Sequence, residues 1–436
     1  MQTRVRRPYE KKLISKGGAL IFGLGLGALL ATAAIGVALA MPTLSPHLDN
    51  LVYRARTYYR KLMPHPEYLP TPVPTTVTAG LTPAAPIQAQ STEPTPTATL
   101  LPTSTPIRIA TSLTEQVVVP SPSPTPSVAL QSVGSSVQLS GINHQWQTWN
   151  NCGPATVTMN LSYFGRPQLQ ADAAPFLKPN RDDKNVNPEE LAAYARTTGL
   201  EALVRRGGSI EQLKLLLSNN LPVLAETWLV HDGDGLGHYR LVTGFDDAAG
   251  QFNTFDSLNG PDFKVTYEQF DSDWRVFNRT YVLVYPPEQA ETVAAIIGPD
   301  MDDTALDERL AAEARAEAEA NPNDAIAFFN QGDALTRLGR FQEAIAAFDR
   351  ARQLGLHWRR LWYQFTPFEA YYAAGRYQDV LDLTEATIKG SGGLEEAYYY
   401  KGLALRALGQ AGAEQEFQAA LDYNANFTPA AEALQN

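Results

Sequence analysis

Cysteine is nearly missing from this chain: Cys152 is the one thiol among 436 residues. No intrachain disulfide can form, and the paired Cys/His spacings of a zinc site do not occur. Histidine is scarce too, with six in all. Asp232, Asp234, Asp246 and Asp247 cluster loosely, but the twelve-residue calcium loop with its closing Glu is not there. No metal and no cofactor is therefore expected. Positive charge is the third shortage. Lys and Arg total 35 against 46 Asp and Glu, a net charge of −11, and no basic stripe follows the first 65 or so residues. A nucleic-acid partner, which needs a basic face to displace counterions, is excluded.

The basic residues that do occur mark one end. Arg4, Arg6, Arg7, Lys11, Lys12 and Lys16 fall in a tail, 1–16, and an uncharged stretch, 17–41, follows. At 1.5 Å per residue it spans a bilayer core of about 30 Å. The basic flank favours a cytoplasmic N-terminus. The expectation is a signal-anchor, with all later residues outside the cytoplasm at the cell membrane. Ala38-Leu39-Ala40 offers a cleavage site, so a cleaved, secreted form is the lesser alternative. No Cys follows the apolar run, so a lipoprotein anchor is not expected. Residues 44–63, where Tyr53, Tyr58 and Tyr59 interleave with Arg54, Arg56, Arg60 and Lys61, read equally as a membrane-surface helix or a solvated stalk helix. Residues 42–137 as a whole read as a Pro/Ser/Thr-rich, disordered stalk. Extended, its proline-rich part reaches on the order of 200 Å.

Ordered sequence is expected over 138–288. Helices are predicted at 153–164, at 188–198 with Asn187 as N-cap, and at 209–217. β runs follow at 221–229, 238–245, 251–255 and 280–285, with a hairpin turn at Asp246-Asp247-Ala248-Ala249-Gly250. Helices first and an antiparallel sheet later give an α+β domain. Residues 303–436 read as helical. Phe328, Gly332, Leu335, Gly339, Phe341, Ala344, Phe348 and Ala351 set a pattern. It returns at Tyr371, Gly375 and Tyr377, and again at Tyr398, Gly402, Leu405 and Gly409. The period and the small and aromatic positions resemble tetratricopeptide repeats, in which small residues let paired helices approach. That likeness implies a concave surface for a peptide or protein partner and a domain able to fold alone.

The chemistry centres on His144-Gln145-Trp146-Gln147-Thr148-Trp149-Asn150-Asn151-Cys152-Gly153-Pro154-Ala155. Pro154 suits the first turn of a helix, which puts Cys152 at the helix N-terminus, where the dipole favours thiolate. Backbone N–H groups there can hold an oxyanion. A thiolate needs a base. His47 and His65 fall in the stalk and His357 in the repeats. His144 sits on the loop leading into the helix, and His231 lies in HDGDGLG, read as a mobile loop. His238 opens a β run, and the hairpin turn brings Asp256 back within a few residues of it, an acceptor able to fix the imidazole. Trp146, Trp149, Trp228 and Trp274 are candidates for lining a groove or, more simply, for the core.

Gln-x3-Asn-Cys-Gly-Pro-Ala opening a helix, then Gly-His-Tyr and an Asp on the next strand, resembles the papain-like peptidases that cleave double-glycine leaders during bacteriocin export, and more closely their stand-alone relatives. The resemblance covers about 150 residues. It implies an α+β papain-like fold, Cys152 as nucleophile, His238 as base, Asp256 as orienter and a Gln as oxyanion donor. In the leader peptidases that Gln stands six residues before the Cys, where this chain has Trp146. Gln147, between two tryptophans, is preferred, and Gln145 is the alternative. Leader peptidases are fused to exporters and face the cytoplasm; a single outward-facing span does not suit that role. The reading is a membrane-anchored extracytoplasmic cysteine peptidase acting on a peptide or isopeptide bond, with repeats recruiting a protein partner. The rival is a peptide-binding scaffold whose catalysis is weak or lost.

Overall fold

A computed structural model of the chain describes residues 67–72, 128–180, 183–231 and 234–435. The predicted anchor at 17–41, the helix at 44–63 and most of the predicted stalk lie outside the described residues. No described helix is long and apolar enough to cross a membrane.

Seven antiparallel strands form one sheet: β1 Ser136–Gln138, β2 Glu201–Arg205, β3 Val223–His231, β4 Asp234–Asp246, β5 Gln251–Asp256, β6 Gly260–Thr266 and β7 Tyr281–Tyr285. Their order is β2-β7-β3-β4-β5-β6, with β1 added against β4. The Tyr-Val-Leu-Val-Tyr run of β7 is buried throughout, because its neighbours β2 and β3 close both edges and both of its faces are covered. Val282 and Val284 join the core beneath helices α1 Cys152–Tyr163, α2 Gln170–Leu177 and α3 Pro188–Arg196. Tyr281, Leu283 and Tyr285 point the other way, toward α4 Ile210–Ser218, α5 Tyr267–Arg275 and α6 Ala290–Ile297. Gly244 of β4 sits where β1 passes closely: a Cβ there would lie 2.5 Å from the Val137 carbonyl oxygen.

α1 is buried from Gly153 to Leu161, which is why it lacks an amphipathic stripe. Its polar residues are accommodated locally. Thr158 Oγ1 donates to Pro154 O at 2.7 Å, and Thr156 Oγ1 donates to Tyr239 O of β4 at 3.2 Å. α3 starts as predicted after Asn187, whose backbone N–H donates to the Glu190 carboxylate at 2.8 Å.

The remaining helices are α7 Asp303–Ala320, α8 Ala325–Arg337, α9 Phe341–Gln353, α10 Thr366–Ala373, α11 Tyr377–Ser391, α12 Glu395–Ala407, α13 Ala413–Tyr423 and α14 Thr428–Ala433. Close packing occurs at the predicted small positions. A Cβ on Gly332 or on Gly402 would stand 2.6 Å from the Phe348 or Phe417 ring, respectively.

Two features depart from the sequence reading. The stalk is not uniformly without structure. Leu69 is buried in the helical core, its N–H donates to Leu356 O at 2.9 Å, and Arg352 Nε donates to Pro70 O at 2.8 Å. The helical region is also not a detached domain, since it and the peptidase-like region fall in one compact unit. Arg206 meets Asp307 at 2.7 Å, and Arg275 meets Glu317 and Asp324 at 2.6 and 2.7 Å. Asn187 Nδ2 donates to Glu396 at 2.7 Å. These partners are far apart in sequence, so periodicity could not reveal them.

Candidate active site

Cys152 is the first residue of α1 and is partly exposed. The loop before it is tied down on several sides. Gln170, at the start of α2, receives the Thr148 N–H on its Oε1 at 2.9 Å, donates its own N–H to Gln145 Oε1 at 2.9 Å, and donates its Nε2 to Trp146 O at 2.7 Å. Gln145 Nε2 donates to Thr158 Oγ1 on α1 at 3.0 Å. Asn150 takes a left-handed conformation, φ 54°, which Asn tolerates better than most residues. Lys178 Nζ donates to its carbonyl at 3.0 Å. The chain therefore turns sharply into α1 and presents the thiol at the dipole's positive end.

His238 is buried inside β4 rather than at its start: β3 and β4 continue outward to the pair His231↔Asp234. The described residues of HDGDGLG thus lie on these two strands, not in the loop expected from sequence. Strands this long hold His238 rigidly, and Thr227 Oγ1 across the ladder donates to its carbonyl at 2.9 Å. Its Nε2 meets Asp256 Oδ1 at 2.9 Å.

Asp256 ends β5, beyond a bulge between Val242 and Gly244 of β4. Its carboxylate is fully buried and accepts five N–H groups: His238 Nε2, Leu258 N at 2.8 Å, Asn259 N at 2.9 Å, Asn259 Nδ2 at 3.1 Å and Arg240 Nε at 3.1 Å. Arg240 is anchored in turn by Asp273 at 3.2 Å. His144, set aside as a base, donates Nε2 to the Asp256 carbonyl at 2.9 Å and lies edge-on to Trp146.

The electrostatics follow from this order. Burial raises the Asp256 carboxyl, but His238, Arg240 and the Leu258 N–H outweigh it and hold the group well below the carboxylate range. Burial alone would lower His238; the charge and hydrogen bond of Asp256, with the Cys152 thiol on its other side, raise it to about 9. Burial pushes the Cys152 thiol up, while the hydrogen bond and charge of His238, the Tyr239 N–H and Lys178 bring it below its ordinary value. All three shifts favour a thiolate–imidazolium pair beside a carboxylate.

The two glutamines differ. Gln145 has both ends of its amide engaged, by Thr158 and Gln170. Gln147 is buried beside Asp256: its N–H donates to Ser257 O at 2.9 Å and its Oε1 accepts the Ser257 hydroxyl at 2.8 Å. The amide oxygen is thereby fixed and the NH₂ group turned away from Ser257.

A narrow cleft opens at Cys152, bordered by Asn150, Glu226, His238, Tyr239 and Tyr363. Three of these were missed in the sequence. The buried Asn150 Nδ2 makes no hydrogen bond within the described residues. Glu226 had one available signal, a lone carboxylate in the apolar run Leu221–Val230. Tyr363 comes from the helical region with no local signal; a Cβ on Gly237 would lie 2.9 Å from its ring. Among the tryptophans, Trp274 is core and donates Nε1 to Thr280 O at 2.7 Å, Trp149 is buried, Trp146 covers Gly260, and Trp228 packs on His357 and Tyr363.

Residues 135–282 match the family described as the Peptidase_C39 like family. That stretch is a Peptidase_C39-like domain of the papain-like cysteine peptidase fold. Three solved structures are similar. One, from Bacillus anthracis, is described as a C39-like peptidase (17% identity over 35% of this chain and 98% of that one, TM-score 0.29). One is a double glycine motif protease from an AMS/PCAT transporter in complex with the leader peptide (20%, 34% and 94%, TM-score 0.27). One is the peptidase domain of Streptococcus ComA, a bifunctional ABC transporter of a quorum-sensing pathway (16%, 34% and 99%, TM-score 0.27). No curated protein matches the chain.

Proposed function

We propose that this chain is a cysteine peptidase that hydrolyses a peptide or isopeptide bond with Cys152 as nucleophile, His238 as base and acid, and Asp256 as orienter. The observation that carries the reading is the continuous relay from a thiol at a helix N-terminus, through a buried imidazole, to a carboxylate with five donors. The Cys152 thiolate attacks the carbonyl carbon. The oxyanion is met by the Cys152 backbone N–H and by the Gln147 amide. The His238 imidazolium gives its proton to the leaving amine as the C–N bond breaks, leaving an acyl-enzyme. His238, now neutral, takes a proton from water, hydroxide adds to the thioester, and the acid is released with the thiolate restored. Asp256 keeps the imidazole oriented and remains ionised.

Around this core we place the finer features. Residues 17–41 anchor the chain, residues 42 onward lie outside the cytoplasm, and the helix pairs are tetratricopeptide-like repeats that hold a protein partner. The close Gly332–Phe348 and Gly402–Phe417 contacts support the repeat reading. A second reading, a binding module with little turnover, draws on the packing of Tyr363 over Gly237 at the cleft. An electrophilic peptide probe separates the two. The enzyme reading expects covalent labelling that Cys152→Ala abolishes and His238→Ala lowers by about 10²–10⁴. Labelling no faster than that of an ordinary thiol overturns it.

A further inference from the structure

Next to the cysteine cleft lies a larger cavity, of about 260 Å³, at the junction of the peptidase-like and helical regions. Glu226 and Tyr363 border both, so the two spaces share a wall beside the thiol. The sheet and α3 supply one wall, through Glu226 and Glu189. The helical region supplies the other, through Tyr363, Phe365, Glu369 and Tyr400.

The charges there do not cancel. Two arginines border the cavity, and each has an acid of its own: Arg206 meets Asp307 at 2.7 Å, and Arg337 meets Asp333 at 3.5 Å. Glu189, Glu226 and Glu369 have no hydrogen bond or ion pair on their carboxylates among the described residues, although the Arg337 charge reaches Glu189 and Glu369 from further off. Glu226 is the telling one, since its side chain is 5% exposed. A buried carboxylate without a partner is costly, and a structure that retains one beside a nucleophile needs a reason. Arg360 lies near enough to be felt, but it borders a different cavity and stacks on Phe329. Burial, with Glu189 and the Cys152 sulfur nearby, holds the Glu226 carboxyl well above its usual range. A cation arriving at this acid would reverse that penalty. The aromatic side chains of Tyr363, Phe365 and Tyr400 suit the aliphatic stem of such a ligand or its ammonium head.

We propose that this junction cavity is a specificity pocket for an alkylammonium group of the substrate, received by Glu226 with Glu189 and Glu369 behind it, so that the preferred substrate carries a positive charge within a residue or two of the scissile bond. The inference rests on the peptidase reading above and gives the helical region a direct part in substrate choice. The ammonium has two possible sources, a lysine side chain or a free peptide N-terminus.

Matched peptidyl electrophiles on the full chain test it. One pair carries lysine or norleucine at each of the two positions nearest the warhead. A second pair carries a free or an acetylated N-terminus. The second-order rate of Cys152 labelling should favour the cationic member of one pair by on the order of ten- to a hundredfold, the usual worth of a hydrogen-bonded charge. The pair that shows the preference identifies the source. Glu226→Gln should bring the ratio to about one, and Glu369→Gln should lower it in part. The wild-type ratio decides the matter even if the Glu226 variant does not fold. Equal labelling of cationic and neutral members in the wild type overturns the pocket and leaves the peptidase reading standing. Failure of every peptide probe, with iodoacetamide reacting at an ordinary thiol rate, overturns both.

Discussion

Replacing Asp256 by Asn changes one atom and should disable the thiol some distance away. The carboxylate is surrounded by donors only. If the Asn Oδ1 takes the place facing His238, Leu258 and Asn259, its NH₂ group must face Arg240 Nε and the Asn259 amide, both themselves donors. If it is turned over, it confronts His238 with a donor instead. Either way the imidazolium loses its counter-charge. The rise of His238 from 6.5 to about 9 corresponds to about 3 kcal/mol favouring the charged ring, and Asp256 is the main contributor. Without it, burial dominates and the ring becomes neutral near pH 7. The thiolate in turn loses the charge that offsets its own burial, and the Cys152 titration moves upward. The single cysteine makes the assay clean: the rate of iodoacetamide alkylation against pH reports Cys152 alone. In the native protein the thiolate should form as pH rises through a value below 9.0. The imidazolium should be lost as pH rises through about 9, so the ion pair occupies the window between. Asp256→Asn should lower alkylation at pH 6 on the order of ten- to a hundredfold and move the midpoint up. An unmoved midpoint in a variant with native circular dichroism would refute the reasoning.

Gln147→Ala should lower turnover about 10²–10³-fold, as loss of one oxyanion donor does; Gln145→Ala should act through stability, because its amide ties α1 to α2. A larger turnover loss from Gln145→Ala would reverse that assignment. Asn150→Ala reads whether the unbonded Nδ2 at the cavity takes part, since a drop in turnover without a change in KM is expected only of a group that meets the transition state. Residues 303–436 expressed alone should melt at lower temperature than within the full chain, because Asp307, Glu317, Asp324 and Glu396 lose their partners; equal melting temperatures would show that these contacts stabilise nothing. Protease treatment of intact cells should release the folded region and leave a small membrane-bound piece, and protection of the C-terminal part until lysis would reverse the proposed orientation.

Which features are legible in the sequence and which are hidden depends on the range of the interactions that form them. Helix start signals are local, so Pro154 after Asn-Asn-Cys places Cys152 at the head of α1 and Asn187 with Glu190 places α3. The turn at 246–250 is equally local, and a hairpin closed there must return Asp256 to the neighbourhood of His238. The register is less accessible. The irregularity between Val242 and Gly244 sets which residue of β5 faces Arg240, and nothing in the sequence of β5 signals it. β6 escaped because Gly260-Pro261-Asp262 and Lys264 are poor strand residues; it forms because β5 offers an edge. Glu226 and Tyr363 escaped for the strongest reason. A glutamate in an apolar strand reads as a defect until the opposite wall is known, and that wall belongs to helices more than a hundred residues on. The helical repeat pattern describes how those helices pack on one another, through Gly332 against Phe348 and Gly402 against Phe417. It carries no information about the face turned to the peptidase-like domain, where Tyr363 takes the space left by the missing side chain of Gly237. The residue type at 237 is therefore a constraint from the helical region: Gly237→Ala should displace Tyr363 from the cleft. Faster labelling of Cys152 by bulky probes than by iodoacetamide, relative to the native chain, would show that Tyr363 limits access, and an unchanged ratio would show that it only lines the pocket.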